Sequence, residues 1–357
     1  MAEAWEQLSL YESKDLISRF YQQYHGGSIT AAKAKEINSH LTQGREFFAS
    51  ASQAAEVVRP LLLYYGVLSL SRGLILFLDR SARETSLSKS HGLDFHWQQD
   101  RDRVITLSNI SRLVVNVEEG TFSELIQATE NIERNTISSY GATNIKVDQV
   151  GTTDGALEAT ATLEEILAQV PDLQKLFERT FDRLSDCYPA EICYLGFSYD
   201  RHSTGVHILE TDLGRLPAEE QIREAFKLPS DTNVYSKDTY NPWCEGASKE
   251  IRNFRLEVHS ARETDLLQNM PIRTARNGNK FAVVPLSNRL RFSSLSLLFI
   301  VAYALSMLVR YYPSQWQAII NREAGDLAFP LLKAATSVVE QRFPALLLEE
   351  LEVRTGR

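Results

Sequence analysis

Two histidines and two arginines carry the side chains best suited to hold an anion. His91 stands before Gly92, where a helical sequence pattern gives way to an extended one. We interpret His91 either as a capping or hydrogen-bonded core histidine or as a group that lines a pocket, and His96, five residues later, could share that pocket. Arg72 and Arg310 are the charged members of two very apolar segments. These four residues are the candidate ligand-binding side chains.

Aromatic residues accompany both arginines on the apolar segments. Aromatics at helical spacing usually form a core, but a buried tyrosine hydroxyl needs a hydrogen-bond partner. If Arg72 and Arg310 turn inward, they could supply such partners and would mark a buried polar network or a ligand pocket. We predict no metal site and no cofactor, because His91 and His96 lack a convincing carboxylate or cysteine partner at ligand spacing, although Asp94 lies between them. The aromatic set comprises Tyr64, Tyr65, Tyr303, Tyr311, Tyr312 and Trp316.

The two apolar segments, Leu61 to Leu78 and Phe292 to Val309, are predicted to be buried helices that pack on each other. The second contains eighteen uncharged residues, at the lower edge of the roughly 20 that a membrane span needs. Serines are spread through it, and both of its flanks are positive, so no orientation across a membrane is encoded. In the first segment, Gly66 and Gly73 would allow another helix to approach closely. We therefore expect a soluble core and no membrane association.

The overall composition is that of a folded cytoplasmic protein. Of the 357 residues, 43% are hydrophobic and 24% are charged, which is typical of globular domains. The three cysteines share no metal-ligand spacing, which favours a reducing compartment. The net charge of −8 argues against a surface devoted to nucleic acid. Residues 251–291 depart from this average with eight basic side chains, and they form either a solvated face or a local site for phosphate or another anion.

Helical patterns at both chain ends and short strands between them predict an α+β fold that is predominantly helical, with an antiparallel or mixed β region. We divide the chain into an N-terminal helical region with short strands (1–138), a variable middle region (139–250), and a strand pair with C-terminal helices (251–357) that pack on the N-terminal helices. Four local predictions can be checked directly. They are a strand at Val104 to Leu107, a helix cap at Thr121, a long exposed loop at Ser139 to Gly155, and irregular structure at Val234 to Gly246.

Several motifs resemble those of YaaC-like bacterial proteins. They are Arg59-Pro60-Leu61-Leu62-Leu63-Tyr64-Tyr65-Gly66, Ser90-His91-Gly92-Leu93, and Ala304 to Pro313 with Trp316 close behind. The resemblance runs from about Phe47 to Phe343, and it implies a bacterial cytoplasmic protein without implying any particular activity.

The helical N-terminal half is also similar to HEPN helical domains, some of which are ribonucleases marked by an arginine and a histidine a few residues apart. Arg252 and His259 fit that spacing, with the polar Asn253 after the arginine, and Arg19 with His25 fits it less well. In such a pair the histidine would act as general acid or base and the arginine would stabilise phosphate charge. The alternation from Phe254 to Val258 favours a strand instead, which would display the charges to solvent.

The sequence thus leaves two functional hypotheses. The first is a non-enzymatic interaction or regulatory component that binds a protein partner, a second copy of itself or a small anionic ligand. The second is a HEPN-like ribonuclease or RNA-binding component of a bacterial defence or stress system, with nucleic acid bound only through residues 251–291.

Overall fold

The chain folds into two compact units, each assembled from separate stretches of sequence. Unit 1 combines Met1–Asn131, Gly151–Leu167 and Phe292–Arg357, and unit 2 combines Ile132–Val150 and Ala168–Arg291. The structure is a computed structural model. It describes residues 2–97, 110, 112–138, 144–153, 156–157, 159–198, 201–226, 228, 233–238, 252–260, 271–286, 290–323 and 327–356.

Unit 1 is mostly helical, which confirms the prediction of helices at both chain ends. Its N-terminal helices are α1 (Ala2–Ser9), α2 (Lys14–His25), α3 (Ala31–Gln53), α4 (Arg59–Leu78), α5 (Thr121–Thr129) and α6 (Leu163–Ala168), the last of which ends at the unit boundary. The C-terminal helices are α9 (Ser294–Tyr311), α10 (Pro313–Ile320) and α11 (Phe329–Thr355). Pro60 lies in the first turn of α4, where its missing N–H leaves no intrahelical hydrogen bond unmade.

The apolar helices α4 and α9 pack against each other in the centre of unit 1, as predicted. Every residue from Ser294 to Val309 is buried. Both helices are long and apolar enough to cross a membrane by length and composition, but 72% of the apolar stretch of α4 and 83% of that of α9 is buried inside the protein. The prediction of a buried helix at Phe292 to Val309 is therefore confirmed.

Glycines let α3 and α4 approach each other closely. A Cβ atom placed on Gly66 would lie 2.5 Å from the Phe48 ring, and one on Gly73 would lie 2.7 Å from the Leu41 side chain. Both distances are shorter than any van der Waals contact between carbons. The glycines in α4 therefore have a packing role that outweighs their low helix propensity.

The C-terminal helix α11 is longer than the sequence pattern indicates. The sequence pattern predicts two helices, Ala328 to Arg342 and Ala345 to Leu351, with Pro344 between them, but α11 continues through this proline. Pro344 removes one backbone hydrogen bond. The helix nevertheless continues, because buried residues such as Phe343 and Leu347 lie on both sides of the proline and hold the helix against its neighbours.

Unit 1 also carries a three-stranded antiparallel sheet in the order β1-β2-β5, formed by β1 (His91–Trp97), β2 (Leu113–Gly120) and β5 (Thr160–Thr162). Helix α5 follows β2 directly. The predicted cap at Thr121 is wrong, because Thr121 is the first helical residue, and the hydroxyl of Ser123 instead accepts the Gly120 N–H and donates to the Gly120 carbonyl. The predicted strand at Val104 to Leu107 lies outside the described residues.

Unit 2 is built on an antiparallel six-stranded sheet and a separate hairpin. The sheet order is β10-β11-β6-β7-β9-β8, and the hairpin pairs β3 with β4. The strands are β3 (Ile132–Ser138), β4 (Asn144–Val150), β6 (Cys187–Ser198), β7 (Arg201–Leu209), β8 (Asn233–Asp238), β9 (Arg252–Ser260), β10 (Ile272–Thr274) and β11 (Lys280–Val283). Helices α7 (Gln174–Phe181) and α8 (Glu219–Phe226) complete the unit, whose core includes Tyr188, Val206, Ile208, Ile222 and Phe226.

Two predictions of irregular structure in unit 2 are wrong. Asn144–Val150 forms strand β4 within the predicted loop, and Asn233–Asp238 forms strand β8 within the segment expected to be irregular. Both strands are rich in polar residues, so their own sequences carry little strand signal. Backbone pairing with β3 and β9 supplies the hydrogen bonds that local propensity does not indicate.

Candidate functional site

Three elements of unit 1 bring tyrosine and histidine rings together. The Tyr64 ring of α4 lies 5.4 Å from the His91 ring of β1 and 5.4 Å from the Tyr303 ring of α9, measured between ring centroids. The His91 and Tyr303 rings are 5.9 Å apart. We call these three residues, together with Arg72 and Arg310, the Tyr64 site.

The turn at Gly92 holds His91 in place. Gly92 has a φ of +79°, a conformation that glycine adopts without strain. A Cβ atom there would also lie 2.9 Å from the backbone nitrogen of Phe122. On the other side of His91, the Ser90 carbonyl accepts hydrogen bonds from the N–H and the hydroxyl of Thr121, each at 3.1 Å. The backbone around His91 is therefore fixed against the start of α5.

The two tyrosines of the site differ in how their hydroxyls are satisfied. The Tyr303 hydroxyl donates to the Leu93 carbonyl at 2.7 Å. The Tyr64 hydroxyl has no hydrogen-bond partner among the residues that the structure describes, although Tyr64 is only 1% exposed. Burial raises the pKa of Tyr64 far above its usual value, so the hydroxyl stays protonated. Tyr64 thus holds an unused hydrogen-bond donor inside the site, at a cost of roughly 1 to 3 kcal/mol.

Arg72 supplies a fixed positive charge beside these rings. Its guanidinium donates to the Ser88 carbonyl and, at 3.5 Å, to the Thr121 hydroxyl. Burial lowers the pKa of His91, and the charges of Arg310 and Arg72 lower it further. His91 is therefore a neutral imidazole at neutral pH, with one nitrogen that donates and one that accepts.

Arg310 is an exposed residue of the Tyr64 site and lies in the last turn of α9. Its guanidinium lies 5.1 Å from the centre of the Tyr311 ring. Within the part of the chain that the structure describes, no carboxylate forms an ion pair with Arg310. An exposed guanidinium without a carboxylate partner is available to bind an anion with its planar fork of donors.

His96 does not join the site. One of its ring nitrogens lies 3.3 Å from an Asp94 carboxylate oxygen and 3.3 Å from the side-chain nitrogen of Asn116. The structure thus places the His91 ring beside the rings of Tyr64 and Tyr303, where the charges of Arg310 and Arg72 lower its pKa. It places His96 in a separate group of polar side chains. In the described ranges, no cluster of three or more histidine, cysteine, aspartate or glutamate side chains could hold a metal ion.

The residues proposed for nuclease chemistry lie on a strand. Arg252 and His259 both belong to β9, which pairs in regular register with β7 and β8. Seven residues of extended chain, at about 3.3 Å each, separate their backbones by about 23 Å. Their side chains lie outside the described part of the structure. The strand assignment agrees with the alternation noted in the sequence and differs from the helix on which the HEPN motif belongs.

The basic segment at residues 251–291 is not a uniform solvated face. Arg273 is only 3% exposed, and its guanidinium donates to the Gln169 backbone carbonyl at 2.6 Å. Lys280 is half-buried, and burial lowers its pKa. Arg276 is exposed in a turn, whereas Arg262 and Arg289 lie outside the described residues. At least one basic residue of this segment therefore has a structural role within unit 2.

Sequence reasoning missed the groups that position the Tyr64 site. Thr121 was expected to cap a helix, yet its hydroxyl contacts both the Ser90 carbonyl and the Arg72 guanidinium. Ser88 accepts from Arg72 and, through its N–H, donates to Glu124 at 2.9 Å. Small polar residues in a loop gave no signal for these contacts, because the contacts join parts of the chain that are far apart in sequence.

Comparison with known proteins identifies the family. No curated protein and no solved structure matches this chain. The YaaC-like protein family matches it over residues 9–351, nearly the whole length. The matched range includes Tyr64, His91, Tyr303 and Arg310, and the chain is a member of the YaaC-like family.

Proposed function

We propose that this protein is a non-enzymatic regulatory component that binds a small anionic ligand at the Tyr64 site. The observation that carries the proposal is the buried hydroxyl of Tyr64, which has no hydrogen-bond partner within the described ranges of the chain. A buried polar group without a partner is costly, and such groups persist where they serve a purpose. A ligand oxygen would satisfy this hydroxyl when it binds.

The remaining groups of the site suit an anion. Arg310 offers a guanidinium without a carboxylate partner among the described residues. His91 offers an N–H from a neutral ring, and Arg72 adds positive charge while the Ser88 carbonyl holds it in place. Charge-assisted hydrogen bonds of this kind are roughly twice as strong as neutral ones.

We further propose that the protein works in the bacterial cytoplasm and that a protein partner or a second copy of the chain senses the bound ligand. Tyr311, 61% exposed, lies next to Arg310 at the end of α9. Aromatic and arginine side chains are enriched at protein interfaces. A ligand on Arg310 would therefore alter a surface to which a partner can bind.

Inorganic phosphate is a suitable first probe, with binding followed by isothermal titration calorimetry. We expect the wild-type protein to bind phosphate and Arg310→Gln to bind it at least about tenfold more weakly, because one charge-assisted contact is lost. Arg19→Gln is the matched control, since Arg19 is an exposed arginine on α2 of the same unit. Equal binding by Arg310→Gln and wild type would refute the proposed site, and a loss shared by Arg19→Gln would reduce it to a general charge effect.

A further inference from the structure

Strand β10 is an outer strand of the six-stranded sheet of unit 2, and two side-chain amides cover its outer edge. The Ile272 N–H donates to Gln149 Oε1 at 2.8 Å, and the Ile272 carbonyl accepts from Asn135 Nδ2 at 2.8 Å. In an antiparallel sheet, a residue exchanges the same pair of hydrogen bonds with the residue opposite it on the next strand. The amides of Asn135 and Gln149, which we call the amide latch, therefore take the place of a further strand.

The neighbouring backbone group of β10 points the other way. The Pro271 carbonyl accepts from the N–H of Val283 on β11 at 2.8 Å. Successive backbone groups thus alternate between β11 and the amide latch. A sheet edge with unpaired backbone groups can add a strand from another chain. The amide latch therefore closes an edge that would otherwise be open to such pairing.

The amide latch is buried and supported by further hydrogen bonds. Asn135 is 4% exposed, Gln149 is 7% exposed and Ile272 is 1% exposed. Asn135 Nδ2 also lies 3.4 Å from Gln149 Oε1, and the Thr274 hydroxyl donates to Asn135 Oδ1 at 3.0 Å. Removal of one amide would leave a buried backbone group of Ile272 without its partner, which is unfavourable.

The hairpin that carries the amide latch forms its own sheet. Strands β3 and β4 pair with each other, and neither is a member of the six-stranded sheet. Within the described part of the hairpin, Val147 is the one side chain that belongs to the hydrophobic core of unit 2. Lys146 and Asp148 alternate with it along β4 and are exposed. Beyond the two ends of the hairpin, the Gly151 N–H donates to the Asn131 carbonyl at 3.0 Å, so these ends stay close together.

We propose that the hairpin β3–β4 is a strap that opens from the six-stranded sheet as one body, and that the amide latch holds it closed. Opening breaks the bonds between the amide latch and Ile272 and exposes Val147. The hydrogen bonds between β3 and β4, and those within the six-stranded sheet, remain intact. Because opening exposes less surface than the unfolding of unit 2, it requires less free energy. The strap thus controls access to the outer edge of β10.

Hydrogen exchange at single-residue resolution on the full-length protein tests whether the strap opens separately. The Ile272 amide reports opening, because its acceptor lies on the strap, whereas the Val283 amide reports the pairing of β10 with β11. We expect Ile272 to exchange at least about tenfold faster than Val283 in the wild type. Gln149→Leu preserves most of the side-chain volume but removes the acceptor. It should raise the Ile272 rate at least about tenfold further and leave the Val283 rate unchanged.

A thiol probe distinguishes opening of the whole strap from loss of a single bond. Val147 is 3% exposed, so a thiol in Val147→Cys reacts with iodoacetamide only when the strap opens. Mass spectrometry of the labelled peptides separates it from the native cysteines. Adding Gln149→Leu to this variant should raise the labelling rate at least about tenfold. Asp148→Asn is the control, because this exposed residue lies between the two positions, and it should leave both readouts unchanged.

Three results would overturn the proposal. Equal exchange rates of Ile272 and Val283, in the wild type or in Gln149→Leu, would mean that the strap does not open separately from the sheet. A faster Ile272 amide without faster labelling of Val147→Cys would mean that only one hydrogen bond is lost. Acceleration by Asp148→Asn equal to that by Gln149→Leu would mean that the amide latch does not hold the strap closed.

Discussion

Replacing Tyr64 by phenylalanine should stabilise the free protein. The change removes one hydroxyl and keeps the ring, which contacts the rings of His91, Phe299 and Tyr303 at centroid distances of 5.4, 5.9 and 5.4 Å. The removed oxygen is buried, and no described residue forms a hydrogen bond with it. Its desolvation costs roughly 1 to 3 kcal/mol in the folded state, so we expect Tyr64→Phe to raise the free energy of unfolding by about 1 kcal/mol.

The neighbouring tyrosine provides a control of opposite sign. Tyr303 is 4% exposed, and its hydroxyl donates to the Leu93 carbonyl at 2.7 Å. Tyr303→Phe removes the same atom but leaves that carbonyl without its donor. We expect Tyr303→Phe to lower the free energy of unfolding by about 1 to 2 kcal/mol. The two substitutions are chemically identical and lie on adjacent rings, so general effects of the change cancel in their comparison.

Urea denaturation followed by circular dichroism, which is dominated by the helices of unit 1, would measure both changes. The dependence of the unfolding free energy on urea should be the same for all three proteins, because the surface exposed on unfolding is unchanged. A loss of about 1 kcal/mol or more in Tyr64→Phe would refute the reasoning, because it would mean that the hydroxyl has a partner in the free protein. The predicted gain in stability should accompany weaker phosphate binding, since the same hydroxyl serves the ligand.

Three further predictions concern the scaffold and its pH dependence. Gly66→Ala places a Cβ atom 2.5 Å from an aromatic ring. Thermal unfolding should therefore show a decrease of about 1 to 3 kcal/mol in the free energy of unfolding, although alanine has a helix propensity better by roughly 1 kcal/mol. An increase in Tm would contradict the close approach of α3 and α4. Glu340→Ala removes the carboxylate that joins α11 to Arg59 of α4. Because Glu56 still pairs with Arg59 at 3.4 Å, urea denaturation should show a fall of about 2 kcal/mol in the free energy of unfolding; an unchanged value would mean that the Arg59–Glu340 ion pair makes no net contribution. Burial lowers the pKa of His40 below its ordinary value of 6.5, so the unfolded chain binds protons more readily and the unfolding free energy should fall as the pH drops below that value. His40→Gln should flatten the profile, and an unchanged profile would assign the dependence to other histidines.

The helical parts of the fold were predictable because their hydrophobic patterns are strong and local. Leu61 to Leu78 and Phe292 to Val309 are continuous apolar segments, and the structure places them at Arg59–Leu78 and Ser294–Tyr311. The positions at which helices end were predicted less reliably. Pro344 indicated a break that tertiary packing overrides. The polar strands Asn144–Val150 and Asn233–Asp238 were missed because their partners supply the pairing that their own sequences do not encode.

The candidate site was only partly predictable. The sequence singled out Arg72 and Arg310 as the charged members of the two apolar helices, and His91 as a histidine at the start of an extended region. The structure places the His91 ring 5.4 Å from the Tyr64 ring, and the charges of Arg310 and Arg72 lower the pKa of His91. Proximity in sequence suggested that His96 would join them, but it pairs with Asp94 instead. The five-residue separation of His91 and His96 in the sequence does not by itself show whether both side chains belong to one site. In an extended strand, neighbouring residues alternate between faces, and the packed helices decide which face becomes part of a site.

Local sequence patterns were sufficient to predict the apolar helices and the mixture of helices and strands, and short motifs were sufficient to recognise the resemblance to the YaaC-like family. The path of the chain between the two units follows from long-range contacts: it leaves the helical unit after Asn131 and returns to it twice. Packing also leaves the Tyr64 hydroxyl without a hydrogen-bond partner in the described part of the chain, while it gives the Tyr303 hydroxyl one. Satisfaction of a buried hydroxyl depends on atoms contributed by distant segments, so it follows from the packing of α4, β1 and α9 and not from any one of their sequences.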